Sequence, residues 1–342
     1  QTLPILSNVL MRVEDSKLWL TGTDLEIELV ATVGLDKDAE GAMTVPARKL
    51  YDICRALPAE AMLDVRQDGN KAVVRSGSSR FTLMTLPVED FPTVEAGQWD
   101  LEVGVAQHEL KRLVDRTHFC MAQQDVRYYL NGLLLEFAGR RLRAVATDGH
   151  RMGLSELEFD GASDSDRQVI VPRKGVLEVA RFLGTVEGAA QVALSSNHVR
   201  VAVEDVTMTS KLIDGRFPDY QQVLPASCRW AIRADRAALR QALGRAAILA
   251  NEKYRGVRLT IRPNTLVVTA HNPEQEEAQE ELAINYDGDE LEIGFNVNYV
   301  IEALGGLESS EVELGINDAH SSCVLQTPDQ QHTRYVIMPM RL

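Results

Sequence analysis

The sequence comprises 342 residues, of which 45% are hydrophobic and 25% are charged, as in ordinary globular proteins. It lacks an apolar run long enough for a membrane-spanning helix and lacks a signal-peptide pattern, so we expect a cytoplasmic protein with no membrane partner. The net charge of −14, taken over the whole chain, argues against nucleic-acid binding.

The four cysteines are isolated, with no spacing typical of a zinc site or a redox pair. We therefore expect Cys54, Cys120, Cys228 and Cys323 to be buried, reduced thiols. The remaining sequence predicts neither a metal site nor a cofactor.

The first predicted elements are a strand at 18–24 and a helix within 45–57, whose apolar residues recur every three or four positions. A strand and helix then follow within 101–119. After them come a strand at 142–148 and a helix within 171–183 that matches the helix of 45–57 position for position. The second set of elements thus repeats the first.

The same elements occur a third time. A strand and helix lie within 229–249, a strand at 266–272 and a helix within 295–307. The strands recur at intervals of 124 residues and the helices at intervals of 126 and 124. The strands and the helices recur independently at nearly the same interval, which predicts three copies of one structural unit.

These copies predict an α+β fold, with antiparallel sheets and helices on one side of them. We place them at 1–99, 100–228 and 229–342. Only seven residues precede Asn8, whereas the other copies have an opening strand and helix there, so we expect a first copy truncated at its N-terminus.

Four of the predicted helices carry basic residues beside their apolar stripe, although the chain is acidic. Segments 46–57, 110–118, 172–183 and 235–249 each have a net charge of +2. Ordinary solvated helix faces would explain one such segment. Recurrence in separate copies favours a shared basic surface that could face phosphates.

An acidic run at 273–290 has eight acids and no base. The strand predicted at 78–87 carries the basic Arg80 together with apolar residues and no acid. Pairing of the two segments between molecules, assisted by opposite charge, would suit a head-to-tail contact that closes a ring.

The segment Thr147–His150 resembles a catalytic turn, since Asp148 and His150 stand two residues apart. Such a pair needs a nucleophile or a metal, and no motif supplies either. Asp148-Gly149 is first of all a turn signal. We therefore expect no catalytic residues, with a nuclease or transferase centred on this turn as the weakest alternative.

Many segments, in order and spacing, resemble one family, the bacterial replicative sliding clamps, which are the beta subunits of DNA polymerase III. They are TLPILSNVL (2–10), LTGTDLE (20–26), TVPARKL (44–50), QDVRYYLNG (124–132), ATDGHRM (146–152), IVPRKGV (170–176), SKLIDGRFPDY (210–220), NEKYRGVRL (251–259), NPEQEEA (272–278), GFNVNYV (294–300) and YVIMPMRL (335–342).

The resemblance implies three tandem DNA-clamp domains of the processivity fold, with antiparallel sheets outside and helices inside a head-to-tail dimeric ring. Such a homodimer encircles duplex DNA without reading its sequence. It tethers the replicative polymerase, the clamp loader and other proteins through short clamp-binding peptides. The implied role is non-enzymatic and needs no cofactor. The alternative is a protein-interaction scaffold, built from the same repeats, that does not enclose DNA.

The resemblance also implies three sets of site residues. The peptide-binding set is Leu130, Thr147, Gly149, His150, Arg151, Met152, Pro218, Gln222, Val223, Asn296, Tyr299, His320, Ser322, Val336, Met338, Pro339, Met340 and Arg341. The DNA-binding set is Gln124, Arg127, Tyr128, Tyr129 and Lys174. The dimer-interface set is Lys49, Arg80, Phe81, Leu83, Ile248, Leu249, Glu276, Glu277 and Glu280. Gln222 and His320 depart from the common family form, which could retune peptide preference.

Overall fold

The computed structural model describes residues 3–36, 39–94, 97–184 and 188–341, without the side chains of 160–165. The chain divides into two compact units. The N-terminal unit comprises residues 1–107 and 186–212, and the C-terminal unit comprises 108–185 and 213–342. Because this division cuts through the second predicted copy, the boundaries of the copies remain a prediction.

Antiparallel strands dominate both units. In chain order the strands are β1 Asn8–Glu14, β2 Lys17–Thr23, β3 Ile27–Gly34, β4 Gly41–Pro46, β5 Asp64–Asp68, β6 Lys71–Ser76, β7 Ser79–Met84, β8 Leu101–Ala106, β9 Gly132–Thr147, β10 Arg151–Pro172, β11 Ala189–Leu194, β12 His198–Val203, β13 Val206–Lys211, β14 Trp230–Asp235, β15 Gly256–Arg262, β16 Thr265–His271, β17 Glu277–Ala283, β18 Leu291–Asn296, β19 Glu311–Ile316, β20 Cys323–Gln326 and β21 Thr333–Ile337. The α-helices are α1 Ala47–Ala56, α2 Gln107–Asp115, α3 Arg173–Phe182, α4 Arg236–Ala246 and α5 Val297–Gly306.

Among the described residues these strands form four sheets. The N-terminal unit has an eight-stranded sheet, in the order β4-β1-β2-β3-β13-β12-β11-β8, and a three-stranded sheet, β5-β6-β7. The C-terminal unit has a six-stranded sheet, β14-β19-β20-β21-β10-β9, and a four-stranded sheet, β17-β16-β15-β18. The predicted antiparallel α+β fold is confirmed.

The helices predicted within the repeats are α1, α3 and α5, and they bury matching faces to different extents. Val176 and Val179 of α3 are buried, as are Val300 and Ala303 of α5. In α1 the apolar face is only partly buried, and none of the helix's residues falls in the core. The spacing of apolar residues therefore predicted the helices but not the depth of their burial.

Each large sheet joins strands of two predicted copies. In the N-terminal unit β3, from the first copy, pairs with β13, from the second. In the C-terminal unit β10, from the second copy, pairs with β21, from the third, over Arg151–Ser155 and Thr333–Ile337. The junctions between copies are thus continuous hydrogen-bonded sheets and not flexible linkers.

One turn occurs in both the first and the second copy. Thr23 Oγ1 donates to the Ile27 carbonyl at 2.8 Å, and Asp24 Oδ1 accepts the Ile27 N–H, also at 2.8 Å. In the second copy Thr147 Oγ1 donates to the Arg151 carbonyl at 2.6 Å, and Asp148 Oδ1 accepts the Arg151 N–H at 3.0 Å. Both turns connect antiparallel strands by letting side chains satisfy backbone groups.

The expectation for the cysteines is only partly confirmed. Cys120 and Cys323 are buried, whereas Cys228 is half-buried and Cys54 is exposed. Cys54 stands four residues after Leu50, at the spacing of the apolar face of α1, so the helical periodicity of that segment does not indicate its exposure. Within the described ranges, every helix falls short of the length and apolarity needed to cross a membrane.

Candidate functional site

An apolar cavity of about 190 Å³ lies in the C-terminal unit, where β9 and β10 meet β21; we call it the peptide cavity. It is lined by Arg127, Leu130, Thr147, Gly149, Arg151, Met152, Phe217, Pro218, Tyr220, Val223, Val336 and Met338. Nine of these twelve residues belong to the peptide-binding set predicted from the sequence. The cavity therefore brings together half of that set from distant parts of the chain.

The turn between β9 and β10 forms one wall of the peptide cavity. Asp148 Oδ1 accepts the backbone N–H groups of His150 and Arg151 at 2.9 and 3.0 Å. Gly149 has a φ of +88°, which favours glycine, and Thr147 Oγ1 accepts its N–H at 3.1 Å. The carboxylate of Asp148 is thus engaged in holding the turn, as expected for a structural aspartate and not for a catalytic one.

Arg151 is the most highly connected side chain of the site, and only 11% of it is exposed. Its guanidinium pairs with Asp148 at 3.2 Å, donates to the Phe119 carbonyl at 2.7 Å and pairs with Glu302 of α5. It also stacks on Tyr299, 4.4 Å from the ring centroid. Two carboxylates and an aromatic face therefore fix the orientation of this arginine.

The floor and far wall of the peptide cavity are apolar. Leu130, Met152 and Val336 are buried in one core cluster, and Val223 packs against it. Met338 forms the rim, is 40% exposed, and donates its backbone N–H to the His150 carbonyl at 2.9 Å. A methionine at a rim can adjust its rotamers to differently shaped ligands.

The other nine predicted peptide-binding residues lie outside the cavity lining. Asn296 accepts the Asn298 N–H at the start of α5, and Tyr299 contacts Arg151. Gln222 is exposed and donates to Asp219 at 2.9 Å, and His320 is exposed in a turn held by Asp318. The remainder are His150, Ser322, Pro339, Met340 and Arg341, of which His150 and Arg341 are exposed and the others half-buried.

Three lining residues were not assigned to this site from the sequence. Phe217 and Tyr220 are buried, and Tyr220 belongs to a short 3-10 helix, Tyr220–Val223. Their only signal was the Phe-Pro pair that recurs between copies. Arg127 was assigned to DNA, yet its guanidinium lies against Gly149 and the Asp148 carbonyl.

The predicted DNA-binding residues form a neighbouring surface. Gln124, Arg127 and Tyr128 are exposed on the loop before β9, and Tyr129 is half-buried. Lys174 is exposed in the first turn of α3, where the Arg173 N–H donates to the Asn131 carbonyl at 3.0 Å. The loop and the start of α3 are therefore directly connected.

Arg127 is held by a carboxylate two residues before it in the sequence. Its Nη2 and Nε donate to Asp125 at 2.8 and 3.0 Å. Hydrogen bonds from this guanidinium and from the Arg127 backbone N–H lower the pKa of Asp125 to about 2. The carboxylate therefore stays ionised, and Arg127 stays oriented, throughout the neutral and mildly acidic range.

The predicted dimer-interface residues lie mainly on two edge strands and two helices. Arg80 and Phe81 belong to β7, an edge strand of the three-stranded sheet, and Lys49 is exposed on α1. Leu83, also on β7, is buried in the core of its own unit. An edge strand leaves backbone groups available for a further strand.

The second half of that set is in the C-terminal unit. Ile248 is 77% exposed and Leu249 half-buried in a 3-10 helix after α4. Glu277 and Glu280 belong to β17, an edge strand of the four-stranded sheet, and Glu276 precedes it. Glu280 already pairs with Arg245 at 2.6 Å within the chain.

The thiol beside Arg151 is not in a reactive state. Cys120 lies beside Arg151, and burial raises the pKa of its thiol to about 12. Among the described residues, no group of three or more His, Cys, Asp or Glu is placed to hold a metal ion. The surroundings of the cavity are suited to binding and not to nucleophilic chemistry.

Three family models match the chain. They describe the N-terminal domain of the DNA polymerase III beta subunit over residues 1–95, the central domain over 104–219 and the C-terminal domain over 221–341. Together these matches cover nearly the whole sequence.

Comparison with individual relatives leads to the same family as the family models. The chain is 52% identical to the beta sliding clamp of Pseudomonas putida and 51% identical to that of Escherichia coli K12, covering all of this chain and 94% and 93% of theirs. A crystal structure of the sliding clamp from Pseudomonas aeruginosa, 52% identical, superposes with a TM-score of 0.98 over all of this chain and 94% of that one. The clamp from Bartonella birtlesii, solved with bound griselimycin, is 35% identical with a TM-score of 0.96, covering 100% and 93%. The chain therefore belongs to the family of DNA polymerase III beta subunits, the bacterial sliding clamps.

Proposed function

We propose that this sliding clamp encircles duplex DNA as a head-to-tail homodimer and tethers the replicative polymerase, the clamp loader and other proteins through peptides bound in the peptide cavity. It is the non-catalytic processivity subunit of the polymerase. The observation that carries the peptide proposal is the apolar peptide cavity itself, with Arg151 held at its wall. Since its relatives are bacterial clamps, we assign it to the cytoplasm.

The size of the peptide cavity favours side chains of a peptide over a whole small molecule. At about 190 Å³ it is smaller than the ~300–1,000 Å³ of typical small-molecule sites. Its floor offers apolar contacts, and Met338 stands partly exposed at the rim. An extended segment could therefore insert one or two apolar side chains and run along the rim.

Ring closure is supported by the two edge strands. β7 carries Arg80 and presents Met84 to solvent, while β17 carries Glu277 and Glu281. Antiparallel or parallel addition of β17 from one subunit to β7 of another would satisfy both edges and bring opposite charges together. The same contact made twice closes a two-subunit ring.

Peptide binding is tested with Met338→Asp and Met340→Asp in the intact protein. A carboxylate at the rim would be desolvated by an apolar side chain, so affinity for a labelled peptide with two apolar side chains should fall at least ~10-fold in fluorescence anisotropy. Met62→Asp, at an exposed methionine of the N-terminal unit, is the matched control and should bind normally. Unchanged affinity in the rim variants, or loss of the dimer in them, would contradict the assignment.

Encirclement is tested by salt. The clamp loaded on closed circular DNA should remain bound at salt that removes ordinary basic DNA-binding proteins, and should leave once the circle is cut. Equal release from circular and linear DNA would contradict encirclement and favour the second candidate, a scaffold that binds proteins without enclosing DNA. Mass photometry separates the two further, since that scaffold could persist as a monomer.

A further inference from the structure

A second, larger cavity lies in the C-terminal unit and shares no lining residue with the peptide cavity; we call it the α2 cavity. Its volume of about 690 Å³ falls within the ~300–1,000 Å³ of small-molecule sites. One wall is formed by Glu109 and Arg112 on α2 and by Arg116, which directly follows the helix and donates its backbone N–H to the Arg112 carbonyl at 3.0 Å. The opposite wall contains Glu308 and Ser309, which follow α5.

The floor of the α2 cavity is polar and buried. The hydroxyls of Ser155 on β10 and Thr333 on β21 hydrogen-bond at 2.9 Å, and both residues are buried. Nη1 of Arg116 donates to Thr333 Oγ1 at 3.3 Å. The Nε of Arg116 is buried and has no hydrogen-bond partner among the residues described. Buried donors are normally satisfied, so the guanidinium of Arg116 has an unmet hydrogen-bonding capacity.

The carboxylate of Glu308 already pairs with both Arg112 and Arg116. Its Oε2 lies 3.0 Å from Nη2 of Arg116 and 3.9 Å from Nη1 of Arg112, whose Nη2 also lies 3.8 Å from Glu109 Oε1. The Glu308 side chain is 64% exposed, so it reaches the pair from solvent. Ion pairs with a largely exposed partner are weak, so a competing anion could displace the Glu308 carboxylate.

We propose that the α2 cavity binds a small oxyanion, a phosphate or carboxylate group, on Arg112 and Arg116 in competition with Glu308. Guanidinium groups recognise both kinds of oxyanion through paired N–H donors. Arg141 adds positive charge to the lining, whereas Glu109 and Glu158 limit the charge that the ligand can carry. The site therefore takes a small anion and not a nucleic acid strand. Glu156, also in the lining, pairs with Arg143 at 2.8 Å, and Arg143 also pairs with Glu136.

The test is a titration of the intact protein with inorganic phosphate and, separately, acetate at low ionic strength, followed by NMR of the arginine Nε–H signals. Binding should shift the Arg116 and Arg112 signals. Glu308→Gln removes the internal competitor and should tighten binding about 10-fold, while Arg112→Gln should weaken it by about the same factor.

Two controls match these variants. Glu311→Gln makes the same change in net charge at an exposed residue outside the cavity lining, and Arg262→Gln removes an exposed, paired arginine elsewhere. Both should bind like the wild type. Equal tightening in Glu308→Gln and Glu311→Gln, or no shift of the Arg116 signal with either anion, would overturn the proposal. A response to phosphate alone identifies a phosphate ligand, a response to acetate alone a carboxylate ligand, and either supports it.

Discussion

Neighbouring glycines at the end of α5 have opposite structural roles. A Cβ on Gly306 would lie 1.9 Å from the Tyr335 hydroxyl oxygen, whereas one on Gly305 would meet only the Arg240 guanidinium at 3.8 Å. The Tyr335 ring is fully buried, and its hydroxyl donates to the Arg116 carbonyl at 2.7 Å. The absence of a side chain at Gly306 is therefore what lets β21 pack against the helices.

Gly306→Ala should destabilise the C-terminal unit by ~3 kcal/mol, because a buried ring and its hydrogen bond must both shift. Gly305→Ala is the control and should raise stability by ~0.5–1 kcal/mol, since alanine is the better helix former. Urea unfolding followed by the Trp230 fluorescence measures both. If the Gly306→Ala protein is as stable as the wild type, the Tyr335 side chain can shift without loss of stability.

The Asp125–Arg127 pair predicts how the loop responds to acid. Since the pKa of Asp125 is lowered to about 2, its stabilising contribution is complete above an unfolded-state value of ~3.9 and is lost as pH falls through about 2. Carboxyl 13C shifts should show Asp125 still ionised at pH 3. In Arg127→Gln the titration should move towards ~3.9. A wild-type midpoint near 4 would contradict the contact.

At the scale of elements, the exposed 3-10 helix after α4 predicts the strength of dimerisation. Ile248→Asp should weaken dimerisation ~100-fold or more, because closure would bury an unpaired carboxylate. With 77% of Ile248 exposed, the fold of the monomer should be unchanged. Analytical ultracentrifugation measures the dimer, and Val126→Asp, at a residue 95% exposed on the loop before β9, is the control. An unchanged dimer would exclude Ile248 from the interface.

Elements that the repeat defines were predictable, and packing between elements was not. The α3 and α5 helices follow from apolar spacing that recurs at one period. Leu83 was assigned to the dimer interface from the family resemblance, and the pleat turns its side chain into the core of its own unit, so its interface role stays a prediction. Side chains of one strand alternate in environment, and edge position alone does not say which of them face outward.

For the candidate site, the resemblance to a family identified the lining better than the residue patterns did. Patterns indicated turns at Thr147–Arg151, not a cavity. Tyr220 escaped assignment because its burial depends on a 3-10 helix capped by Asp219. Arg127 was assigned elsewhere, although the Asp-x-Arg spacing to Asp125 could have indicated a local ion pair. Contacts between distant segments carry no local signal.

At the scale of the molecule, peptide binding should stabilise one unit selectively. Every residue lining the peptide cavity belongs to the C-terminal unit. A peptide at 100 times its Kd adds ~2.7 kcal/mol, or ~5–10 °C in Tm for a unit of that size. Calorimetry, assigned by thermal unfolding followed through the fluorescence of Trp19 and Trp99 in the N-terminal unit and of Trp230 in the C-terminal unit, should show a higher Tm for the C-terminal unit alone. Equal increases in the Tm of both units would contradict peptide binding at the peptide cavity.

The turn shared by the first and second copies separates mutations that affect architecture from those that affect recognition. Thr23 and Asp24 make the same hydrogen bonds as Thr147 and Asp148, although the first copy's turn lines no peptide cavity. The threonine and aspartate thus hold the hairpin itself in both copies. Arg151 stands where the first copy has Ile27, so this position differs between the copies while the turn residues do not. Resistance to a cavity-directed inhibitor should therefore arise at Arg151 and the rim, and spare the turn that both copies need.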